Sequence, residues 1–332
     1  MRKDHRRRLL LASGALLALS FDCFAQSTQV VRHIGILSPL TADSGNGQFL
    51  QRELLEGLRR HGYREGANLT VEWRWADGHP ERLDALAREL VRARVELIIS
   101  IGGTFSTEAA KRATQTIPIV MNAGIAPVEI GLIRSLAKPG GNVTGTSWAG
   151  IEIVEKLFQI LRELVPSAKR IAVMRNPSTP DARRYMDAYE HAAKLLGMTI
   201  QYFFVTRPEE VEPALGRIDS ARPDVLFVAH NPVIAPRFPA IVEFANARKL
   251  VTIGTTSQIV EEGAMISYQP DNVAITKRTI TYVDRILRGA KPADLPVELP
   301  TKYELVVNAK AARIIGYKIP ESILQRADRV IE

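Results

Sequence analysis

Cysteine is almost missing from this chain: its 332 residues contain one, Cys23. A disulfide within the chain is therefore excluded, and without Cys23 so are a thiolate nucleophile and a thiolate metal site. Long hydrophobic runs are missing too. Beyond the N-terminus no segment reaches the roughly 18 consecutive apolar residues expected of a membrane-spanning helix. The usual phosphate cradles are absent, with neither G-x-x-x-x-G-K-[ST] nor G-x-G-x-x-G. So are the G-x-S-x-G elbow and the H-E-x-x-H zinc helix. The histidines at 33, 61, 79, 191 and 230 are scattered, and the pairs Glu209-Glu210 and Glu261-Glu262 read as solvated faces. Basic residues do not alternate with aromatic ones in any stretch that would track a nucleic acid. These absences lower the odds of an enzyme, without excluding a site built from distant residues, and no cofactor or metal is expected.

What is present is an ordinary folding composition, 46% apolar and 24% charged. The length suggests about two domains. The first residues have a different character. Arg2, Lys3, Arg6, Arg7 and Arg8 precede an apolar run from Leu9 to Phe21, and small residues, Cys23 and Ala25, precede a possible cut. A charged start, a short greasy core and a small-residue cleavage site make a secretory signal peptide, 1–25, cleaved after Ala25. The Arg6-Arg7-Arg8 run allows twin-arginine export without demanding it. That segment holds five basic and two acidic residues, so of the net charge of +8 the remainder carries +5 and no cysteine.

From Val31 onward strands and helices alternate. Val31–Leu37 reads as a buried strand, Leu50–Arg60 as a helix with Leu50, Leu54, Leu55 and Leu58 on one stripe, and Asn68–Trp75 as an alternating strand. The same alternation continues to a long helix over Val273–Arg288 and an extended piece near Val297–Val307. Such a pattern predicts mostly parallel sheets flanked by helices, an α/β fold with ligands bound beyond the carboxyl ends of the strands. Those ends carry small or polar residues: Ser38, Gly103, Thr104, Asn122, Asn176, His230 and Thr255. Phe105, Trp148 and Tyr268 are candidate rings. Any one of these residues can equally be a turn former or core filler; as a set they suggest a cleft for a small polar solute.

Lys138-Pro-Gly-Gly-Asn-Val-Thr-Gly145 resembles the P-G-G-N-[VI]-T-G signature of a family of ABC-transporter substrate-binding proteins, some described as tryptophan/tyrosine-type. Ile34–Leu37, Gly57–Gly66, Ile117–Val120, Arg285–Pro296 and Tyr303–Asn308 resemble further family segments in order. The resemblance implies the two-lobed type I periplasmic-binding-protein fold. Lobe one is then expected to take 29–145 plus 266–296, and lobe two 146–265 plus 297–332. Crossovers are expected near 144–146, 265–267 and 297–299, with Gly145 and Gly263 as hinge residues. It further implies a monomeric periplasmic receptor that hands a small organic solute, an aromatic or amino-acid-like compound or a carboxylate, to an inner-membrane permease and ATPase. No nucleic acid partner is implied. Ser38, Gly103, Thr104, Asn122, Asn176, His230, Thr255 and Tyr268 are the expected contacts. Two departures stand out. The family's Asp-Pro pair is replaced by Ala126-Pro127, which puts an α-amino-acid ligand in doubt. Gly102-Gly103-Thr104-Phe105 stands where the family tends to have Gly-Thr-Pro. A sensor feeding a membrane signalling protein, or a two-domain enzyme, stays open as an alternative.

Overall fold

The computed structural model describes residues 30–148, 150–179 and 181–332. The expected signal peptide, 1–25, lies outside them. The first half of the fold runs β1 (Arg32–Ser38), α1 (Gly45–Arg60), β2 (Leu69–Trp75), α2 (Leu83–Arg92), β3 (Leu97–Ser100), α3 (Thr104–Ala113), β4 (Ile119–Gly124) and β5 (Val143–Ser147). These strands form a parallel sheet in the order β2-β1-β3-β4-β5. It is buried on both faces, as a parallel sheet must be. Ile34 and Ile36 of β1 enter one core with Leu54 and Leu58 of α1, while Leu37 enters another with Leu90 of α2.

The chain then builds α4 (Glu152–Leu164), β6 (Arg170–Arg175), α5 (Ala182–Leu195), β7 (Thr199–Phe204), α6 (Val211–Ala221), β8 (Val225–Val228), α7 (Phe238–Ala247), β9 (Val251–Gly254), α8 (Ser257–Glu261) and β10 (Ile266–Pro270). After α9 (Asn272–Leu287) come β11 (Tyr303–Asn308), α10 (Ala309–Ile315), α11 (Glu321–Arg326) and β12 (Arg329–Ile331). The second sheet has the order β12-β11-β10-β9-β8-β6-β7, parallel throughout except between β10 and β11. Val225 and Phe227 of β8 face one of its cores, Leu226 and Val228 the other.

Helix α9 leaves the second sheet and returns to the first. Its Ile280, Tyr282 and Val283 share the core of Leu54 and Leu58. The two helices approach so closely that a Cβ on Gly57 would lie 2.9 Å from Ile280 Cγ1. The strand just before α9 does not follow it. Ile266–Pro270, expected in lobe one, is paired to β9 and, antiparallel, to β11. The chain crosses between the sheets at Pro270-Asp271. Proline has no N–H to continue a ladder, and Asp271 caps α9 by accepting from Ala274 N at 2.9 Å. The expectation of a crossover at 265–267 is thereby corrected. Gly263, expected as a hinge, joins α8 to β10 inside the second sheet's half.

The other two crossovers run side by side. Ser147 N donates to Glu298 O at 2.8 Å, Glu298 N to Gly145 O at 3.2 Å, and Asp271 N to Lys302 O at 3.0 Å. Gly145 lies within β5 at φ +128°, where a Cβ would stand 2.3 Å from Met121 O. Glycine is required there by the close approach of β4.

Candidate functional site

The carboxyl ends of β3, β4, β6, β8 and β9 converge on one cavity of about 610 Å³ between the two sheets. That volume suits a small organic molecule. Each strand end delivers its residues for a local reason. Beyond β3, Gly102 and Gly103 adopt positive φ and start α3 with Thr104, whose Oγ1 donates to Ile125 O at 3.2 Å. At the end of β4 the pairing with β5 shifts register between Met121 and Gly124. Ala123 and Ala126 follow at φ 62° and 46°, unfavourable for a residue with a Cβ. The strain is held by Thr146, whose Oγ1 accepts from Ala123 N at 3.1 Å. The kink presents Asn122 and Ala123 to the cavity.

Of the eight expected contacts, Gly103, Thr104, Asn122, Asn176, His230, Thr255 and Tyr268 line the cavity. Ser38 does not: it is fully buried and its Oγ accepts from Leu40 N at 3.2 Å. Several of the seven spend their polar atoms on the fold. Asn176 Oδ1 accepts from Ser178 N at 2.8 Å, and Thr255 Oγ1 from His230 N at 2.9 Å. Tyr268 stacks on Tyr303 with ring centres 5.7 Å apart. Burial raises the Tyr268 phenol above its ordinary range. Burial also pushes the His230 imidazole down to about 4, so at neutral pH it is uncharged.

Six rings border the cavity: Phe49, Phe105, Trp148, Tyr185, Tyr189 and Tyr268. Sequence reasoning named three of them. It missed Phe49 on α1 and Tyr185 and Tyr189 on α5, although the four-residue spacing of those two tyrosines was a legible sign that they share a helix face. Tyr189 is anchored edge-on against Phe227 at 5.1 Å, and burial raises its phenol far above the ordinary range. It missed Arg175 as well.

Polar atoms with no hydrogen-bond partner among the described residues are concentrated here. Asn122 Nδ2, Arg175 Nη1, His230 Nε2, Thr256 Oγ1 and Gln258 Oε1 are all buried, unpaired and on lining residues. Such groups are rare in folded proteins because each costs about 1–3 kcal/mol. Most lining carboxylates, by contrast, are committed. Glu261 and Glu304 face Arg329 at 2.8 and 3.5 Å, and Asp271 faces Lys302 at 3.1 Å. Burial would raise the Asp271 carboxyl, but the Ala274 N–H and Lys302 outweigh it and hold the group below its ordinary range. No group of three or more His, Cys, Asp or Glu side chains among the described residues could hold a metal.

Two α/β lobes around a cleft of rings and unpaired polar atoms define a solute receptor of the type I periplasmic-binding-protein fold. The family model described as ABC transporter substrate binding protein matches residues 33–331, and the chain belongs to that family. A tyrosine-binding protein of Clostridioides difficile is 29% identical over 258 residues, 78% of this chain and 74% of that one. The structure of an ABC domain in complex with L-Trp from Streptococcus pneumonia is 26% identical, with TM-score 0.83 over 91% of this chain and 100% of the other. The ligand-free, open structure of a substrate-binding protein with adhesive properties from Clostridium difficile is also 26% identical and covers 91% and 99%, but its TM-score is 0.65. At equal identity this chain superposes better on the L-Trp complex than on the ligand-free, open structure.

Proposed function

We propose that this substrate-binding protein captures a small ring-bearing solute in the cleft between its lobes and delivers it to the permease and ATPase of an ABC importer. The observation that carries this reading is the cavity itself, whose lining includes six rings and five polar atoms unpaired among the described residues. The rings supply apolar area and face-to-edge contacts; the polar atoms fix orientation. Gly103, Thr104, Asn122 and His230 are the contacts from the strand ends. The tyrosine-binding and L-Trp-bound relatives support an aromatic solute. Binding is the activity: the cavity is read as a receptor site with no turnover. The receptor is monomeric and periplasmic, exported by the cleaved segment 1–25, and no nucleic acid is a partner.

Closure is a shift between open and closed populations, driven by contacts that exist only when the lobes meet. The rotation passes through the crossovers that follow Gly145 and flank Glu298. Melting the purified protein against a library of aromatic acids, amino acids and amines tests the reading. A true ligand at 100 times its Kd adds about 2.7 kcal/mol of stability and a clear rise in Tm. A library with no stabilising member would remove the solute reading. Intact mass of the exported protein tests the leader: the expected N-terminus is Gln26, and a chain beginning at Met1 would refute cleavage.

A further inference from the structure

Arg175 is the last residue of β6 and 5% exposed, yet it forms no ion pair among the described residues. Its contacts are few and long. Nε donates to Asn176 O at 3.4 Å and Nη2 to Thr179 Oγ1 at 3.3 Å, while Nη1 has no acceptor. The Tyr189 ring lies 5.8 Å from the guanidinium carbon, which steers the group without neutralising it. A buried cation with no counter-anion is strongly unfavourable, and the open side of this one is the cavity it lines.

We propose that Arg175 is the anion receptor of the cleft and that the solute must carry a carboxylate, seated on the guanidinium while its ring packs beside Tyr189. This rests on the solute-receptor reading above. The fork of N–H donors on a guanidinium matches a carboxylate edge. The Asn122 Nδ2 amide, unpaired and 5% exposed at the end of β4, adds a second donor from the opposite lobe. A carboxylate held between them joins the lobes, which ties recognition of the charge to closure. An ammonium group is not required. Asp181 is the single lining carboxylate without an ion pair among the described residues, and it can accept one where the solute is an amino acid.

The test is isothermal titration of the purified protein with matched compounds. Each set shares one ring and one two-carbon chain: indole-3-propionate, L-tryptophan and tryptamine, with the phenyl and 4-hydroxyphenyl equivalents. Within the preferred ring set the acid and the amino acid bind, and the amine is at least about 100-fold weaker. Arg175→Met lowers affinity for the acid by about 10²–10³-fold, and Arg175→Lys, which keeps the charge but loses the fork, by about 10-fold. Without solute, Arg175→Met melts at the same temperature as the parent or higher, because an uncompensated buried charge has been removed; a purely structural arginine would give a lower Tm. An amine that binds as well as its acid, or an Arg175→Met variant that retains acid affinity and melts normally, would overturn the proposal and leave the receptor reading standing. If none of the nine compounds binds, the proposal falls. The broader solute screen then decides whether the receptor reading falls with it.

Discussion

His230 shows how a single side chain can bind pH to the integrity of the cleft. Its imidazole is pushed by burial from an ordinary 6.5 down to about 4. The unfolded chain therefore takes up a proton on this residue at a pH where the native protein refuses it. The contribution to stability is whole above about pH 6.5, falls as the pH drops from 6.5 to 4, and is flat below that. Its full size is at most about 3 kcal/mol. Urea unfolding of the parent and of His230→Gln at pH 7.5 and pH 4.5 checks this. Carboxylates titrate in both proteins, so the informative quantity is the difference. The parent is expected to lose about 2–3 kcal/mol more than the variant; equal losses would show that the imidazole is not held neutral. The same burial leaves Nε2 without a partner, which fits a neutral ring offered to a solute.

Strands and helices were the most legible level, because periodicity reports burial directly. The errors have physical causes. Helix α1 begins at Gly45, five residues before the apolar stripe, because Gly45-Asn46-Gly47 are poor helix formers and the start is set by Ser44, whose Oγ accepts from Gly47 N. Strand β5 went unread because its first residues, Val143–Gly145, end the glycine-rich signature Lys138–Gly145, although Val143–Ser147 pairs with β4. Strand β10 falls in the segment 266–296 that the resemblance placed in lobe one, and nothing in Ile-Ser-Tyr-Gln-Pro says which sheet it joins; only its partners Ile253 and Leu305 do. Arg175 escaped notice because a basic residue at a strand end is ordinarily at the surface, and its burial is a tertiary fact. At this scale Gly145 gives a sharp prediction. Alanine there would set its Cβ 2.3 Å from Met121 O and 2.6 Å from Met121 N, at φ +128°. The backbone of β4 cannot yield as a side-chain tip could. Gly145→Ala is expected to cost about 3 kcal/mol or more, read as a lower urea midpoint at unchanged m-value. A loss under about 0.5 kcal/mol, within the range of ordinary surface substitutions, would mean that β4 and β5 do not approach this closely.

For the molecule as a whole the question is what holds the lobes together. Ile125, in the loop after β4, packs on a core of the second lobe, and the other contacts are small. Arg184 of α5 reaches Glu129, in the loop after β4, at 2.5 Å, and the pair spans the lobes. At the end of β2, Gly78 lies against Pro232, near enough that a Cβ would stand 3.5 Å from its carbonyl oxygen. The side chains of Arg184 and Glu129 are 40% and 52% exposed, so the pair is worth well under 1 kcal/mol after screening. That is too little to lock the lobes, but enough to shift an equilibrium between two states of similar free energy. Glu129→Gln should therefore move the ligand-free population toward the open form by about two- to three-fold, and leave the stability of each core untouched. The body described here contains no cysteine, so Glu65→Cys and Arg217→Cys, one exposed site on each lobe, can carry a fluorescent pair whose energy transfer reports opening. At low ionic strength the Glu129→Gln protein should show less transfer than the parent. At 1 M salt, where the screening length is about 3 Å, the two should converge. Identical transfer at both salt concentrations would mean that the Arg184–Glu129 pair plays no part in closure.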